Sequence, residues 1–385
     1  MRFEAINPPP VATEGTEATE VLDPRDKKTE DLRKLIWAAV LYRIYYSPHS
    51  FLGALGGYTG LIFSNRFFIS GCAGWGCRQK MAAKVSAGGI IRGEVLYDVP
   101  MAEYTSFRVG GPVDFLAFPA DVDDLRALLH WCREADLPYF ILGKGTNLLV
   151  RDRGIRGVAI NLSRGFQQIT AIDEDSNGTM VLAEAGDSLA RLVDFSWRNN
   201  LTGMEFAAGI PGSVGGGIFM NAGAFRREMK DVLKSISLMN SLGEVNERKI
   251  EDAAFSYRSM GIQKSEVILG GKFILQRGKG EEIRARIEEI MRARLIKQPY
   301  DLPSAGSVFK NPERAPAGKL IEEAGLKGVR VGDAQVSEKH ANFIVNLGKA
   351  TARDILELAE RVRERVQREK GILLEMEIQI AGENE

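Results

Sequence analysis

The sequence predicts an α+β protein, because short apolar runs typical of strands alternate with amphipathic segments typical of helices, but in no regular order. A strict alternation of strand and helix, which would indicate a doubly wound parallel sheet, is not present. Of the 385 residues, 44% are hydrophobic and 26% are charged, so a sizeable packed core is possible. No internal repeat is visible, and the length suits about two to three domains.

The regular pattern contains four amphipathic segments. Their apolar residues recur at three- and four-residue spacing, which predicts helices over residues 121–136, 188–200, 281–297 and 351–370. An aspartate at the start of the first segment and Gly371 after the last are typical helix boundaries. An uninterrupted apolar run predicts a buried strand over residues 139–142, and alternation predicts a final strand over residues 372–380.

Residues 1–85 lack this regularity, and we expect them to form a poorly structured N-terminal extension. Residues 1–30 are acidic and contain three consecutive prolines, without the basic start and apolar core of a signal peptide. Residues 44–65 contain no Asp, Glu, Lys or Arg and are long enough to span a bilayer, but their proline and glycines argue against a membrane helix. A further hypothesis is that the functional product starts near Met81.

The charge balance and the cysteines exclude several classes of function. Lys plus Arg and Asp plus Glu each number 51, so no net charge favours a nucleic acid or an anionic membrane as partner. The three cysteines, Cys72, Cys77 and Cys132, are too few for a disulfide framework and lack the paired spacing of a zinc site. We therefore expect a cytoplasmic protein without a structural metal.

Glycine is concentrated in two loops. The first, at residues 143–147, resembles half of a G-x-G-x-x-G motif, but Leu148 replaces the third glycine, and a tight turn is an equal interpretation. The second, at residues 209–217, contains five glycines in nine residues, which suits backbone N–H groups that approach an anionic ligand closely. Together the loops predict a site for a dinucleotide diphosphate, without Mg²⁺. Its candidate residues are Gly143, Lys144, Gly145, Thr146, Asn147, Gly209, Gly212, Ser213, Gly215 and Gly216.

Three further segments carry reactive side chains. Residues 255–259 place a guanidinium beside a phenol, residues 304–312 offer a hydroxyl, an amine and an amide, and residues 374–378 carry two carboxylates. Taken singly, each has an ordinary explanation: a surface ion pair, a turn hydroxyl and a solvated strand face. A joint function for them therefore needs a further observation.

That observation is a set of eight segments in one order along residues 93–380: YTSFRVGGPVDF, ILGKGTNLLV, GMEFAAGIPGSVGGGIFMNAGAF, FSYRSM, PSAGSVFKNP, AGKLIEEAGLKG, DAQVSEKHANFIVN and LLEMEI. Together they resemble the UDP-N-acetylenolpyruvoylglucosamine reductase (MurB) family, flavoenzymes of bacterial peptidoglycan precursor synthesis. Only 39 positions separate Arg258 from Lys297, which leaves little room for the extra substrate loop of the family's first type. The resemblance is therefore to the second type.

The resemblance implies a fold and a reaction. An FAD-binding domain of the vanillyl-alcohol-oxidase/PCMH type is expected over residues 86–279, and a MurB C-terminal α+β substrate domain over residues 280–385, whose last strand returns to the active site. The implied reaction is the NADPH-dependent, FAD-mediated reduction of UDP-N-acetylglucosamine enolpyruvate to UDP-N-acetylmuramate. The FAD is expected to be non-covalent, and the protein to be a monomer.

The resemblance also implies residue roles. The two glycine loops match the family's FAD diphosphate cradle. Arg258, Ser307 and Glu377 match its catalytic positions, with Ser307 as proton donor. The positions that match its substrate contacts are Tyr257, Lys297 and Asn311.

Two alternatives remain open at this point. One is another FAD-dependent oxidoreductase of the same fold that acts on a sugar or lactone; such relatives often tether FAD through histidine, and this chain has only His49, His130 and His340. His340 could be a site residue or an ordinary loop histidine. The other alternative is a nucleotide-binding module without turnover, which would have no use for a serine proton donor.

Overall fold

A computed structural model describes residues 89–175, 178–263 and 265–384, all of which belong to one compact unit. The expectations for residues 1–85, including the apolar run, two of the cysteines and the start near Met81, lie outside the described residues. None of the helices that the structure describes is long and apolar enough to cross a membrane.

The described residues form six α-helices. Their bounds are α1 Val122–Glu134, α2 Leu189–Arg198, α3 Val214–Phe219, α4 Gly280–Lys297, α5 Ala317–Glu323 and α6 Ala352–Lys370. The four helices expected from apolar spacing are confirmed as α1, α2, α4 and α6. The side chains of Asp121, Ser188 and Thr351 accept backbone N–H groups at the starts of α1, α2 and α6. Gly371 ends α6 with a φ of 66°, which glycine adopts without steric cost.

The strands are short and unevenly spaced, which confirms the α+β prediction. They are β1 Glu94–Pro100, β2 Pro112–Phe118, β3 Tyr139–Leu142, β4 Leu148–Val150, β5 Ile155–Asn161, β6 Ile169–Asp175, β7 Gly178–Glu184, β8 Leu201–Thr202, β9 Gly223–Ala224, β10 Arg227–Glu228, β11 Leu233–Met239, β12 Val245–Lys249, β13 Val267–Arg277, β14 Arg330–Val331, β15 Ala334–Val336, β16 Ile344–Asn346 and β17 Gln379–Ala381. The apolar run at residues 139–142 forms strand β3, as expected, but the expectation that it is buried is wrong except for Leu142. The other three residues are half-buried, because β3 lies at the edge of its sheet.

The first sheet positions the first glycine loop. Its strand order is β1-β2-β5-β3, with β1 antiparallel to β2 and with β2, β5 and β3 parallel. Helix α1 covers this sheet, and the ring of Trp131 packs edge-on against that of Phe115 at 5.4 Å between centroids. The loop at residues 143–147 leaves the carboxyl end of β3 and leads into β4.

The second sheet positions the second glycine loop. Its order is β12-β11-β13-β7-β6, with β8 beside β13, and all pairs are antiparallel. The backbone N–H of Gly215 in α3 donates to the carbonyl of Ala185, just after β7, at 2.9 Å. A Cβ on Gly215 would lie 2.8 Å from the Cβ of Ala185, so this glycine lets α3 pack directly on the sheet.

The C-terminal part packs around helix α6 and the three-stranded sheet β14-β15-β16. Its core contains the apolar face of α6 and the fully buried Val308 and Phe309. Phe107, Val109 and Leu149, from the part that contains the first glycine loop, belong to the same core. The two parts therefore share buried apolar surface, which favours a fixed relation between them.

The prediction of a continuous strand over residues 372–380 is wrong. Only Gln379–Ala381 forms a strand, β17, which runs parallel to β4. Before it, Met376 makes a single bridge to Phe309. The alternation of apolar residues is nevertheless real, because Leu374 and Ile378 are buried while Glu375 between them is exposed. It belongs to an extended segment whose backbone, before β17, forms a bridge at Met376 only.

Candidate active site

Arg258 and Glu377 form an ion pair between distant parts of the chain. Arg258 lies in the connection from β12 to β13, and its φ of 59° is in the left-handed region that residues with a Cβ seldom adopt. Its Nε lies 2.8 Å from Oε1 of Glu377, and its Nη1 donates to the carbonyl of Gly223 at 3.3 Å. Among the described residues Nε finds no acceptor with hydrogen-bond geometry, so charge rather than a linear bond holds the pair.

Glu377 is held by its backbone as well as by its side chain. Its N–H donates to the carbonyl of Val308 at 2.8 Å, and its carbonyl accepts from Nδ2 of Asn147 in the first glycine loop at 3.2 Å. Its side chain is 13% exposed. Burial raises the pKa of the Glu377 carboxyl above its ordinary value, and the charge of Arg258 offsets this only in part. The carboxyl of Glu377 therefore has a higher pKa than that of an exposed glutamate.

Ser307 lies on the extended segment next to Glu377. Its neighbour Val308 accepts the Glu377 N–H at 2.8 Å, and on the other side Ser307 makes a bridge with Phe343. The residue is half-buried. Within the described part of the chain its hydroxyl makes no hydrogen bond, so it is available to a bound molecule. The structure therefore brings the segments of Ser307, Glu377 and Arg258 together.

The first acid of the C-terminal segment, Glu375, has a different environment. Glu375 is 74% exposed, and its Oε2 lies 3.2 Å from Nζ of Lys310. The backbone N–H of Lys310 donates to the carbonyl of Glu375 at 2.8 Å. The two carboxylates, equivalent by sequence pattern, therefore divide into a surface ion pair and a buried group beside Arg258.

The two glycine loops contact each other. Oγ1 of Thr146 in the first loop donates to the carbonyl of Pro211 in the second at 2.8 Å. A Cβ on Gly143 would lie 2.8 Å from Oγ of Ser213, and one on Gly145, whose φ is 62°, would lie 2.0 Å from the carbonyl oxygen of Tyr104. Glycine at position 143 thus leaves room for Ser213 of the second loop, and glycine at position 145 lets the first loop pack on the backbone of Tyr104.

The other loop residues differ in what they do. Lys144 is exposed. Oγ of Ser213 accepts the N–H of Gly216 at 3.2 Å, and the carbonyl of Gly212 accepts the N–H of Leu189 at 3.1 Å. A Cβ on Gly209 would lie 2.8 Å from Sδ of Met291, so packing against α4 is sufficient to explain that glycine.

The three candidate substrate residues surround this region unevenly. Tyr257 is exposed, and its ring centroid lies 5.0 Å from Cζ of Arg258. Lys297 is exposed at the last position of α4. Oδ1 of Asn311 accepts the N–H of Ala317 at 2.9 Å, a structural bond at the start of α5 that leaves its amide group for a ligand. Tyr257 is thus the candidate in direct contact with the ion pair.

Arg294 and Tyr300 lie beside Gly209 of the second glycine loop, and the sequence analysis did not single them out. The Tyr300 hydroxyl donates to the carbonyl of Gly209 at 3.0 Å. Burial lowers the pKa of Arg294, and the nearby positive charge of Arg258 lowers it further, while Tyr300 opposes the shift. Nε of Arg294 is buried without an acceptor among the described residues. In the sequence this arginine looks like one more charge on the solvated face of α4, so no pattern marked it.

His340 is bonded through one ring nitrogen, as an ordinary loop histidine is, and the alternative that it is a site residue stays a hypothesis. Its Nδ1 accepts the backbone N–H of Asn342 at 3.3 Å, and its ring packs against that of Phe343 with centroids 4.8 Å apart. Burial lowers the pKa of its imidazole, which favours the neutral ring that this bond requires.

The fold and the paired glycine loops beside an Arg–Glu ion pair define a flavin-dependent oxidoreductase with an FAD-binding domain followed by a second domain. Residues 113–247 match the family model described as "FAD binding domain", and residues 298–381 match "UDP-N-acetylenolpyruvoylglucosamine reductase, C-terminal domain". The chain belongs to the UDP-N-acetylenolpyruvoylglucosamine reductase family. The family resemblance and the FAD-domain fold are thereby confirmed, whereas the boundary expected at residues 279 and 280 stays a prediction.

Individual relatives agree with the family match. The chain is 46% identical over 294 residues to the UDP-N-acetylenolpyruvoylglucosamine reductase of Syntrophus aciditrophicus (strain SB), which covers 76% of this chain and 94% of that protein. It is 45% identical over 290 residues to the enzyme of that name from Alkaliphilus oremlandii (strain OhILAs), with 75% and 94% covered. The crystal structure of the reductase (MurB) from Thermus caldophilus superposes with a TM-score of 0.65 at 38% identity, over 76% of this chain and 100% of that one.

Proposed function

We propose that Arg258, Ser307 and Glu377 carry out the reduction of UDP-N-acetylglucosamine enolpyruvate to UDP-N-acetylmuramate. The cofactors are FAD and NADPH. When bound, FAD supplies the hydride that it has received from NADPH. The observation that carries the proposal is the ion pair of 2.8 Å between Arg258 and Glu377, beside the segment that presents Ser307.

The residues of the two loops fit a non-covalent FAD diphosphate. The contact of Thr146 with Pro211 brings the loops side by side, and a Cβ on Gly143 would lie 2.8 Å from the hydroxyl oxygen of Ser213. A diphosphate is held well where backbone N–H groups are reachable and no side chain intervenes. We propose that residues 143–147 and 212–216 hold it, whereas Gly209 serves the packing of α4.

Arg258 would bind the carboxylate of the enolpyruvyl group. An enol ether double bond is electron-rich and accepts hydride poorly, so the enzyme must stabilise the negative charge that develops next to that carboxylate. A guanidinium with its planar fork of donors suits this task. Its contacts with Glu377 and Gly223 use Nε and Nη1, and neither uses Nη2.

Ser307 would give the proton that completes the reduction. The net reaction adds a hydride and a proton across the double bond while NADPH is oxidised, and the proton goes to the carbon that carries the developing charge. Its hydroxyl is free of other hydrogen bonds in the described residues, which suits a donor that must reach a substrate atom. A serine is a weak acid, so the alkoxide needs stabilisation or a replacement proton.

Glu377 is the residue that would meet this need. Because burial raises the pKa of its carboxyl, the protonated form is accessible closer to neutral pH than in an exposed glutamate. Lys310 is less suited to the proton relay, because its ammonium lies 3.2 Å from the carboxylate of Glu375. We therefore propose that Glu377, rather than Lys310, takes part in the proton relay.

Tyr257, Lys297 and Asn311 would contact the sugar nucleotide. Lys297 supplies a positive charge for its diphosphate, Tyr257 an exposed ring beside Arg258, and Asn311 an amide. We also propose that the enzyme acts in the cytoplasm as a monomer, which light scattering coupled to size-exclusion chromatography would test.

The decisive experiment separates the two half-reactions by stopped-flow absorbance. Ser307→Ala should leave reduction of the bound flavin by NADPH nearly intact and slow its reoxidation by the enolpyruvyl substrate about 10²- to 10⁴-fold. Ser304→Ala, which removes another half-buried hydroxyl of the same turn, is the matched control and should alter neither rate. Equal loss of both half-reactions in Ser307→Ala would count against the proton-donor role.

A steady-state assay distinguishes turnover from mere binding. NADPH consumption should depend on the enolpyruvyl sugar nucleotide, whereas a module without turnover would show none. Acid precipitation should release the yellow flavin into the supernatant if it is bound without a covalent link.

A further inference from the structure

The segment that presents Ser307 is fixed from both sides. On one side it pairs with the C-terminal segment, through the bonds from Glu377 to Val308 and from Lys310 to Glu375, both 2.8 Å. On the other side it pairs with the loop before β16, where Val308 donates to the carbonyl of Asn342 at 2.8 Å. The position of the Ser307 hydroxyl therefore depends on both neighbours.

Asn342 adds a side-chain clamp to this second side. Its Oδ1 accepts the backbone N–H of Phe309 at 3.0 Å, and its Nδ2 donates to the backbone carbonyl of Phe309 at 2.8 Å. The amide thus bonds both polar groups of one residue, as a neighbouring strand would. The clamp is shielded from water, since Asn342 is 3% and Phe309 1% exposed.

His340 supports the clamp from behind. Its Nδ1 accepts the backbone N–H of Asn342 at 3.3 Å, and its own backbone N–H donates to Oγ of Ser337 at 3.3 Å. The Asn342 backbone is therefore bonded through both its N–H and its carbonyl, and the side chain has little freedom to move away from Phe309.

We propose that Asn342 is a positioning residue for the reduction: through Phe309 it holds the segment of Ser307 in register with the segment of Glu377. This inference rests on the proposed function of Ser307 as the proton donor. Without the amide, two buried polar groups of Phe309 lose their partners, and the segment must shift to satisfy them. A displacement of about 1 Å at a reacting group is enough to cost on the order of 10²-fold in rate.

The test compares the half-reactions of the flavin-loaded enzyme. Asn342→Ala should slow reoxidation by the enolpyruvyl substrate about 10- to 100-fold and change reduction by NADPH less than about twofold. Asn342→Asp keeps the size and the acceptor oxygen but loses the donor to Phe309, so it should show the same selective loss even if the alanine variant folds poorly. A loss shared equally by both half-reactions in these variants would overturn the positioning role.

Asn346 provides a matched control. It is also 3% exposed, and its side chain bonds the backbone of Phe107, Gly348 and Ala350. Only its backbone N–H, which the substitution keeps, donates to Pro303 near the Ser307 segment. Asn346→Ala should lower the melting temperature about as much as Asn342→Ala without a selective loss of reoxidation. The same selective loss in Asn346→Ala would overturn a specific role of Asn342.

A double variant separates this inference from the proposed function. If Asn342 acts through Ser307, Ser307→Ala/Asn342→Ala should reoxidise no more slowly than Ser307→Ala alone. Additive losses would overturn the positioning role while Ser307 remains the donor. If Ser307→Ala itself spares reoxidation, the donor role fails, and the positioning role fails with it.

Discussion

Nε of Arg258 lies 2.8 Å from Oε1 of Glu377, although Arg258 lies in the connection from β12 to β13 and Glu377 lies just before β17. The contact places a fixed positive charge beside a carboxyl group whose pKa burial raises. Each residue therefore sets the state of the other: Glu377 orients the guanidinium, and Arg258 limits how far the pKa of the carboxyl rises.

Arg258→Leu should raise the pKa of Glu377 further. Burial would still disfavour the carboxylate, and the main charge that favours it would be gone. Because the folded-state pKa is above the unfolded one, this group favours the folded state most below its unfolded pKa, and that stability is lost as pH rises through the folded pKa. The variant should therefore lose more stability between acid and neutral pH than the wild type, measured by urea unfolding at a series of pH values.

The control is the double variant Arg258→Leu/Glu377→Gln, which has no carboxyl to titrate at this position. Its stability should vary less with pH over the same window. If Arg258→Leu and the double variant show the same pH dependence, Glu377 is not the group that titrates.

The helices could be predicted from sequence because each signal is local. Helix α6 carries its apolar stripe, its Thr351 cap and its Gly371 stop within its own residues. The extended segment before β17 carries an equally regular alternation, yet pairing depends on which strand lies beside it. Only residues 379–381 pair with β4, and the local sequence of the segment does not indicate which of its residues have a neighbouring strand.

The site was predictable to the extent that family motifs marked it. Arg258, Ser307 and Glu377 lie in distinctive motifs, and the structure brings their segments together, although their roles stay predictions. Arg294 lies on a helix that carries many exposed charges, so only the fold reveals that its Nε is buried. Asn342 acts through a partner 33 positions away, which no local pattern could indicate.

Gly145→Ala should destabilise the protein and reduce its flavin content. The residue has a φ of 62°, and a Cβ there would lie 2.0 Å from the carbonyl oxygen of Tyr104, so both the backbone conformation and the contact oppose a side chain. Gly325→Ala is the matched control, because Gly325 has a φ of 68° and nothing within 4 Å of the added Cβ. It should cost only the conformational term, about 1–2 kcal/mol.

The readouts for this pair are the melting temperature and the ratio of flavin to protein absorbance. Gly145→Ala should have a lower melting temperature and a lower ratio of flavin to protein absorbance than Gly325→Ala. Equal melting temperatures and full flavin content in the two variants would contradict a tight approach of the first loop to Tyr104.

Cys132 should be unreactive in the folded protein. It is fully buried in α1, and burial raises the pKa of its thiol to about 12, so almost no thiolate exists at pH 8. Iodoacetamide should label the peptide that contains Cys132 only after denaturation, as mass spectrometry can show. Rapid labelling of that peptide under native conditions would contradict the packing of α1 on the first sheet.

Asp152 should contribute to stability by tying the first glycine loop's strand to helix α6. All four backbone N–H groups at the start of α6 have acceptors. The N–H of Thr351 donates to Oδ2 of Asp354, and the N–H of Asp354 donates to the hydroxyl of Thr351. The N–H groups of residues 352 and 353 donate to the two carboxylate oxygens of Asp152, at 2.9 and 3.0 Å. Asp152 follows β4, so half of this cap comes from outside the helix's own segment.

Asp152→Ala should cost about 0.5–2 kcal/mol in the free energy of unfolding. It should also speed hydrogen exchange at the amides of residues 352 and 353. Asp152→Asn keeps one acceptor and should fall between the alanine variant and the wild type, whereas wild-type stability and exchange in Asp152→Ala would show that the cap from β4 is dispensable.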